Sequence, residues 1–191
     1  VGTPAPIDAR TLLFDLLRTR SFARRRVILA SGRESDFFID CKQAVLTAPG
    51  HALVGQLMLD AVAQIPDPPV AVAGVELGGC PLASAVSLVS FQRGTPLDAI
   101  YVRKEAKTHG TGRLLEGNAH LAKGARIAIL EDVVTSGGST LKAAEKLRDA
   151  GYSVVGVVAL VDRVEGGSEA LAAEGLSLHA LYTRMDFMNA A

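Results

Sequence analysis

Two adjacent carboxylates followed by a loop of hydroxyls and glycines are the residues of this chain best suited to chemistry. The apolar run Ile127-Ala128-Ile129-Leu130 leads directly into Glu131-Asp132-Val133-Val134-Thr135-Ser136-Gly137-Gly138-Ser139-Thr140. Carboxylates at the end of an apolar strand must face polar partners or bear a large desolvation penalty. Vicinal hydroxyls of a ribose would suit them, because each carboxylate oxygen accepts a hydrogen bond. The loop that follows offers backbone N–H groups, Ser and Thr donors and the positive end of a helix dipole, the parts of a phosphate cradle. The two halves read together as a clamp for ribose 5-phosphate. Glu131 and Asp132 would take the hydroxyls, and Thr135, Ser136, Gly137, Gly138 and Ser139 the phosphate.

A second segment concentrates positive charge. Arg103-Lys104-Glu105-Ala106-Lys107-Thr108-His109-Gly110-Thr111-Gly112-Arg113 holds four Lys or Arg against one acid. The whole chain balances 20 Lys plus Arg against 20 Asp plus Glu, so this local excess is hidden in the total. A neutral total argues against a surface devoted to nucleic-acid backbones, which usually carries a basic excess. The segment follows the carboxyl end of a strand, and its small residues make it a candidate lid over the phosphate cradle. Other nucleotide signatures do not fit. The Thr135–Ser139 loop lacks the lysine of a P-loop, and Gly110-Thr111-Gly112 has Leu115 where a dinucleotide fingerprint needs its third glycine.

These segments need elements to hold them. Leu12, Leu13, Leu16 and Leu17 fall on one helical face, with Asp8 placed as an N-cap. The same stretch is rich in Arg and so has the look of a transit peptide, but the helix is the reading favoured here. Leu53 to Ile65 repeats at helical spacing and stops at Pro66. Short apolar runs at 70–73, 98–102, 126–130, 153–161 and 176–182 predict strands, and helices are predicted over 81–92, 140–150 and 168–174. Near-continuously apolar strands alternating with helices imply an α/β fold, a parallel sheet flanked by helices. Such sheets bind ligands at the carboxyl ends of their strands, where both segments lie. The stretch 27–43 stands outside the alternation and is expected to form a small N-terminal hood. No linker or repeat divides the chain, so residues 1–191 are expected to be one domain, with 1–45 contributing the first helix and the hood.

Composition narrows the classes further. Cys41 and Cys80 have no paired spacing and no nearby His, which argues against a cysteine-based zinc site and favours two reduced thiols. The longest apolar stretch, 153–161, is far short of the ~20 residues that span a bilayer. A soluble, cytoplasmic protein is expected. His51, His120 and His179 read as structural.

The strand, the acid pair and the hydroxyl–glycine loop resemble the phosphoribosyl-pyrophosphate (PRPP) loop of the type I phosphoribosyltransferases, although Glu131 stands where that family prefers Asp. The basic segment Arg-Lys-Glu-Ala-Lys-Thr-His-Gly-Thr-Gly is similar to the catalytic loop of the orotate phosphoribosyltransferases. Ser31-Gly32-Arg33-Glu34-Ser35-Asp36-Phe37-Phe38 resembles their hood segment, Leu160-Val161-Asp162-Arg163 their orotate-binding strand end, and Val72 through Pro81 the place of their pyrophosphate loop.

The resemblance implies the type I phosphoribosyltransferase fold and transfer of phosphoribose from PRPP to orotate. It implies that Arg103, Lys107, His109 and Asp132 are catalytic. It implies that Arg103, Lys104, Lys107, His109 and the run Glu131, Asp132, Val133, Val134, Thr135, Ser136, Gly137, Gly138 and Ser139 bind PRPP, and that Phe38, Thr135 and Arg163 bind orotate. It implies Mg²⁺ carried on the pyrophosphate of PRPP without a protein metal site, and a homodimer in which the loop Lys reaches the neighbouring subunit. No nucleic-acid or membrane partner is implied.

Two positions depart from the family. Ala30 stands where many members have a Lys beside the orotate, and Leu77-Gly78 replaces an aromatic–Lys pair in the pyrophosphate loop. The remaining loop cations, or N–H groups around Gly78 and Gly79, would have to compensate. Two other readings stay open: a phosphoribosyltransferase of the same fold acting on a purine, and a PRPP-sensing regulator without catalysis. Arg163 and the hood aromatic favour an acidic pyrimidine over the first. Neutral charge and an intact basic loop count against the second.

Overall fold

The computed structural model describes residues 8–28, 34–105 and 113–190. The first helix, α1 (Ala9–Arg20), begins where the Asp8 carboxylate accepts the Thr11 N–H at 3.0 Å. Leu13 and Leu17 are fully buried and Leu16 is half-buried, whereas Leu12 is exposed, so the packed face is narrower than the four leucines. An antiparallel hairpin follows, β1 (Phe22–Ile28) and β2 (Glu34–Ile39), with Ala23 opposite Phe38 and Arg24 opposite Phe37. This two-stranded sheet stands where a hood was expected over 27–43, but it begins at Phe22 and ends at Ile39, and the last residues of that stretch run into a helix.

A short α2 (Lys42–Val45) leads into α3 (Ala48–Val62), which Thr47 caps by accepting the Gly50 N–H. The alternating part is β3 (Ala71–Val75), α4 (Gly79–Gln92), β4 (Asp98–Val102), β5 (Leu115–Glu116), β6 (Arg126–Val134) and α5 (Gly138–Asp149). It ends with β7 (Ser153–Asp162), α6 (Gly167–Ala173), β8 (Leu178–Thr183) and α7 (Arg184–Asn189). Every strand and helix predicted after residue 48 is present. Helices begin one to several residues before the apolar repeat does, because caps and first turns carry no core residue.

Six strands form one sheet in the order β5-β4-β3-β6-β7-β8. It is mostly parallel, not wholly so: β5 pairs antiparallel to β4, with Val102 opposite Leu115. Two residues with one apolar side chain give too little periodicity to reveal such an edge strand. The α7 helix also went unpredicted. Its start is a capping box in which Asp186 and Thr183 satisfy each other's termini.

Alternation along the strands divides the core in two. Val72, Ala128, Leu130, Val158 and Leu160 face α1, α3 and α4. Ala71, Ala73, Ile127, Ile129, Val157 and Ala159 face the opposite layer, which includes α5 and α6. The sheet's switch point lies between β3 and β6, whose outer neighbours run in opposite directions across the sheet. Crevices at such points, outside the carboxyl ends of the strands, are where open α/β sheets bind ligands. Among the described residues, no helix is long and apolar enough to cross a membrane.

Candidate active site

Strand β6 runs on to Val134, so the acid pair lies within the strand and its two carboxylates point to opposite faces. Glu131 shares the face of Ile127 and Ile129 and meets α5. It is only 4% exposed, and its Oε1 accepts hydrogen bonds from Thr140 Oγ1 at 2.8 Å and Ser139 Oγ at 3.2 Å. Burial pushes its pKa up to about 7, against the pull of those two hydroxyls and with a further push from the Asp132 charge. One of its oxygens thus ties the strand to the first turn of α5. The expectation for Glu131 named only ribose hydroxyls as its partners.

Asp132 shares the face of Ala128 and Leu130 and is half-buried. Its Oδ1 accepts the Val133 N–H at 3.0 Å. Burial raises its pKa, and the Lys42 ammonium is the strongest influence the other way. Lys42 itself pairs with Asp40 at 2.6 Å, and the Cys41 thiol contacts the Asp132 carbonyl at 3.8 Å. Burial lifts the Cys41 thiol well above its ordinary range, so it stays protonated.

Between β6 and α5, Gly137 adopts φ +79°, and no side chain caps the helix behind it. The first-turn N–H groups of α5 therefore lack a side-chain acceptor, which is the condition for binding an anion at a helix start. Ser136, Gly138 and Ser139 are exposed and Thr135 is half-buried, whereas Val134 is core. The start of α6 closes on this loop so tightly that a Cβ on Gly167 would stand 2.5 Å from the Thr135 carbonyl.

The turn after β3 meets Asp132 from the other side of the crevice. A Cβ on Gly79 would lie 2.4 Å from the Leu130 carbonyl, and one on Gly78 would overlap the Asp132 carboxylate. Gly78 thus stands where no side chain of any kind fits while Asp132 holds this position. The neighbouring Leu77 is exposed.

Arg103 and Lys104 open the basic segment at the end of β4. Arg103 N–H donates to the Leu114 carbonyl at 2.9 Å, and its guanidinium lies 3.9 Å from Glu116. Lys104 N–H donates to Glu76 Oε2 at 2.9 Å. The two cations border a cavity of about 350 Å³ together with Ser139, Lys142 and Lys146. Lys107 and His109 lie outside the described residues, as do Ala30 to Arg33.

The hood divides its two phenylalanines. On β2, Ser35 and Phe37 turn inward, and Phe37 is fully buried against Phe22 and Phe187. Phe38 faces the other way, half-buried, with the Arg25 guanidinium 3.8 Å above its ring. Arg163 stands just beyond β7 and is 8% exposed. Its Nη2 donates to Ser35 Oγ at 3.1 Å and pairs with Glu165 at 2.9 Å, while its Nε is buried with no partner among the described residues. Arg184 joins Glu165 to Asp36 in the same network.

Four residues of this region escaped sequence reasoning: Lys42, Glu76, Lys146 and Glu165. Lys146 is one of several charges on its helix, and Lys42, Glu76 and Glu165 stand in segments otherwise assigned to hood or loop, so no spacing marks any of them. Only the Asp40-x-Lys42 pairing is a local signal.

Residues 45–174 match the family model described as the phosphoribosyl transferase domain. The chain is 68% identical over 184 residues to the orotate phosphoribosyltransferase of Sorangium cellulosum, covering 96% of this chain and 95% of that one. Among solved structures it is similar to Mycobacterium tuberculosis orotate phosphoribosyltransferase in complex with Fe(III) dicitrate. There the TM-score is 0.80 at 39% identity, over 94% of this chain and 99% of that one. The same enzyme in complex with PRPP gives a TM-score of 0.77 at 35% identity, over 95% and 99%.

Proposed function

The chain belongs to the orotate phosphoribosyltransferases of the type I phosphoribosyltransferase family, and on that premise we propose that it transfers phosphoribose from PRPP to orotate. The products are orotidine 5′-monophosphate and pyrophosphate, a step of de novo pyrimidine (UMP) synthesis. The observation that carries this reading is the placing of three features at the carboxyl ends of neighbouring strands about the β3/β6 switch point. They are the Asp132 carboxylate, the α5 start with no side-chain cap and the Arg103–Lys104 cation pair.

Displacement of pyrophosphate from C1 leaves positive charge on the ribose and adds negative charge to the leaving group. The loop Thr135–Ser139 holds the 5-phosphate, remote binding energy that positions C1. Asp132 and the second oxygen of Glu131 accept the ribose hydroxyls. Arg103 and Lys104, with Lys107 and His109, neutralise the departing pyrophosphate. Mg²⁺ carried on the pyrophosphate of PRPP would supply Lewis-acid stabilisation of the leaving group, with no protein carboxylate cluster required to hold it. Arg163 takes the orotate carboxylate through its guanidinium, planar fork to planar acid. Its orphaned Nε and its place beside the hood support this. Phe38 lies on the pyrimidine ring.

The protein works as one phosphoribosyltransferase domain in the cytoplasm. It forms a homodimer in which Lys107 of one subunit serves the site of the other. The test is loss of orotate absorbance with PRPP and Mg²⁺, run beside adenine, hypoxanthine and uracil. Turnover confined to orotate and abolished by EDTA is expected. Turnover with a purine would move the substrate to another base and overturn the role of Arg163. PRPP binding without any turnover would leave a sensor.

A further inference from the structure

Lys146 lies in the last turn of α5 and its ammonium donates to two consecutive backbone carbonyls, those of Arg103 and Lys104, at 2.8 Å each. Successive carbonyls of an extended strand point in opposite directions, so reaching both from one ammonium requires the chain to turn as it leaves β4. On the other side of the same peptide, Glu76 accepts the Lys104 N–H at 2.9 Å. Glu76 belongs to the turn whose Gly78 abuts Asp132. Two charged side chains from two different elements therefore hold the backbone of two adjacent cations.

The elements concerned are those that meet the substrate in the proposed function, on which this inference rests. Helix α5 carries the phosphate loop at its start and Lys146 near its end, so a single rigid element refers the 5-phosphate and the Arg103–Lys104 backbone to one frame. The separation from Ser139 to Lys146 is seven residues, about 10 Å along a helix. The Glu76 arm refers the same backbone to the turn facing Asp132. Preorganised charge acts only when it is held where charge develops, and a displacement of about 1 Å is costly.

We propose that Lys146 and Glu76 are positioning residues that clamp the Arg103–Lys104 backbone so that these two cations address the leaving pyrophosphate. Lys146 makes two of the three bonds and is the stronger arm. A role of this kind acts through Arg103 and Lys104, and that separates it from a direct contact between the Lys146 ammonium and the substrate.

The experiment compares Lys146→Met, which keeps the stem and removes the ammonium, with Lys146→Arg. Lys146→Met is expected to lower kcat about tenfold or more, with Tm within about 2 °C of wild type. Lys146→Arg is expected to restore kcat to within about threefold. In a Lys104→Ala background the Met substitution is expected to cost less than about threefold, because part of what Lys146 positions is already gone. Additive losses would make Lys146 a direct contact and overturn the clamp, and so would an unchanged kcat. Hydrogen exchange at the Lys104 amide reads the clamp without turnover. It is expected to quicken by about tenfold or more in Lys146→Met. Unchanged protection would overturn the clamp even if the wild-type protein failed to consume orotate, an outcome that by itself overturns only the proposed activity.

Discussion

A β-carbon on Gly78 would stand 2.0 Å from Oδ2 of Asp132, closer than any non-bonded carbon and oxygen can approach. The turn after β3 and the strand end of β6 thus meet backbone to carboxylate. The space that a side chain at position 78 would take is thus filled by the Asp132 carboxylate. A side chain here would have to displace Asp132, the half-buried acid that the proposed mechanism places on the ribose.

Gly78→Ala is expected to keep the fold, because the obstacle is a carboxylate that can rotate away. It is also expected to lower kcat/KM for PRPP about tenfold or more by moving Asp132. Gly78→Lys is expected to do the same and not to raise activity. Steady-state kinetics with a thermal melt of each variant checks both halves.

Arg163→Ala should raise the orotate KM by about a hundredfold while leaving the PRPP KM within about threefold, the loss expected of a charge-assisted bidentate contact. Equal effects on the two substrates would make Arg163 a structural residue of the Ser35–Glu165 network. Glu165→Gln should raise the orotate KM by less, since it releases the guanidinium without removing it.

The Glu131 carboxyl titrates at about 7 in the folded protein against 4.5 ordinarily, so between those values the folded chain keeps a proton that the unfolded chain has released. Stability must then fall as pH rises through this window. The full shift is on the order of 3 kcal/mol. Urea midpoints from about pH 4.5 to pH 8 should show this decline in the wild-type protein and a flatter course in Glu131→Gln, whose amide oxygen can still accept from Thr140.

Lys107→Ala is expected to lower turnover by about 10²–10³, the usual effect of one preorganised charge. Unchanged turnover would remove Lys107 from the catalytic set. The shared site can be read in the same protein. Mixing Lys107→Ala with Asp132→Asn should recover activity if subunits exchange and the loop of one serves the other, and should recover none if each site is built from one chain.

Much of this was legible in residues 70–183. The strand runs around Val72, Ile100, Ile129 and Val158 are long enough and apolar enough for periodicity to place them. Glu131-Asp132 and Thr135–Ser139 announce themselves because adjacent acids and a glycine–hydroxyl loop are costly or weak anywhere except at a ligand. Hydrophobic pattern and local backbone preference are properties of neighbours in the chain, and these the sequence by itself determined: the α/β alternation, the acid pair, the glycine–hydroxyl loop and the basic segment.

What it left open were relations between residues far apart in the chain. Strand alternation sends Glu131 to α5 and Asp132 to Gly78, and only the packed layers say what waits on each face. Phe37 and Phe38 are the same residue type side by side, and the hairpin register alone sends one to the aromatic core and leaves the other under Arg25. Lys146 and the carbonyls of Arg103 and Lys104 are more than forty residues apart, as are Glu131's neighbour Asp132 and Gly78. Charge and steric contact act over a few ångströms of space whatever the distance along the chain, so those pairings were decided by tertiary structure.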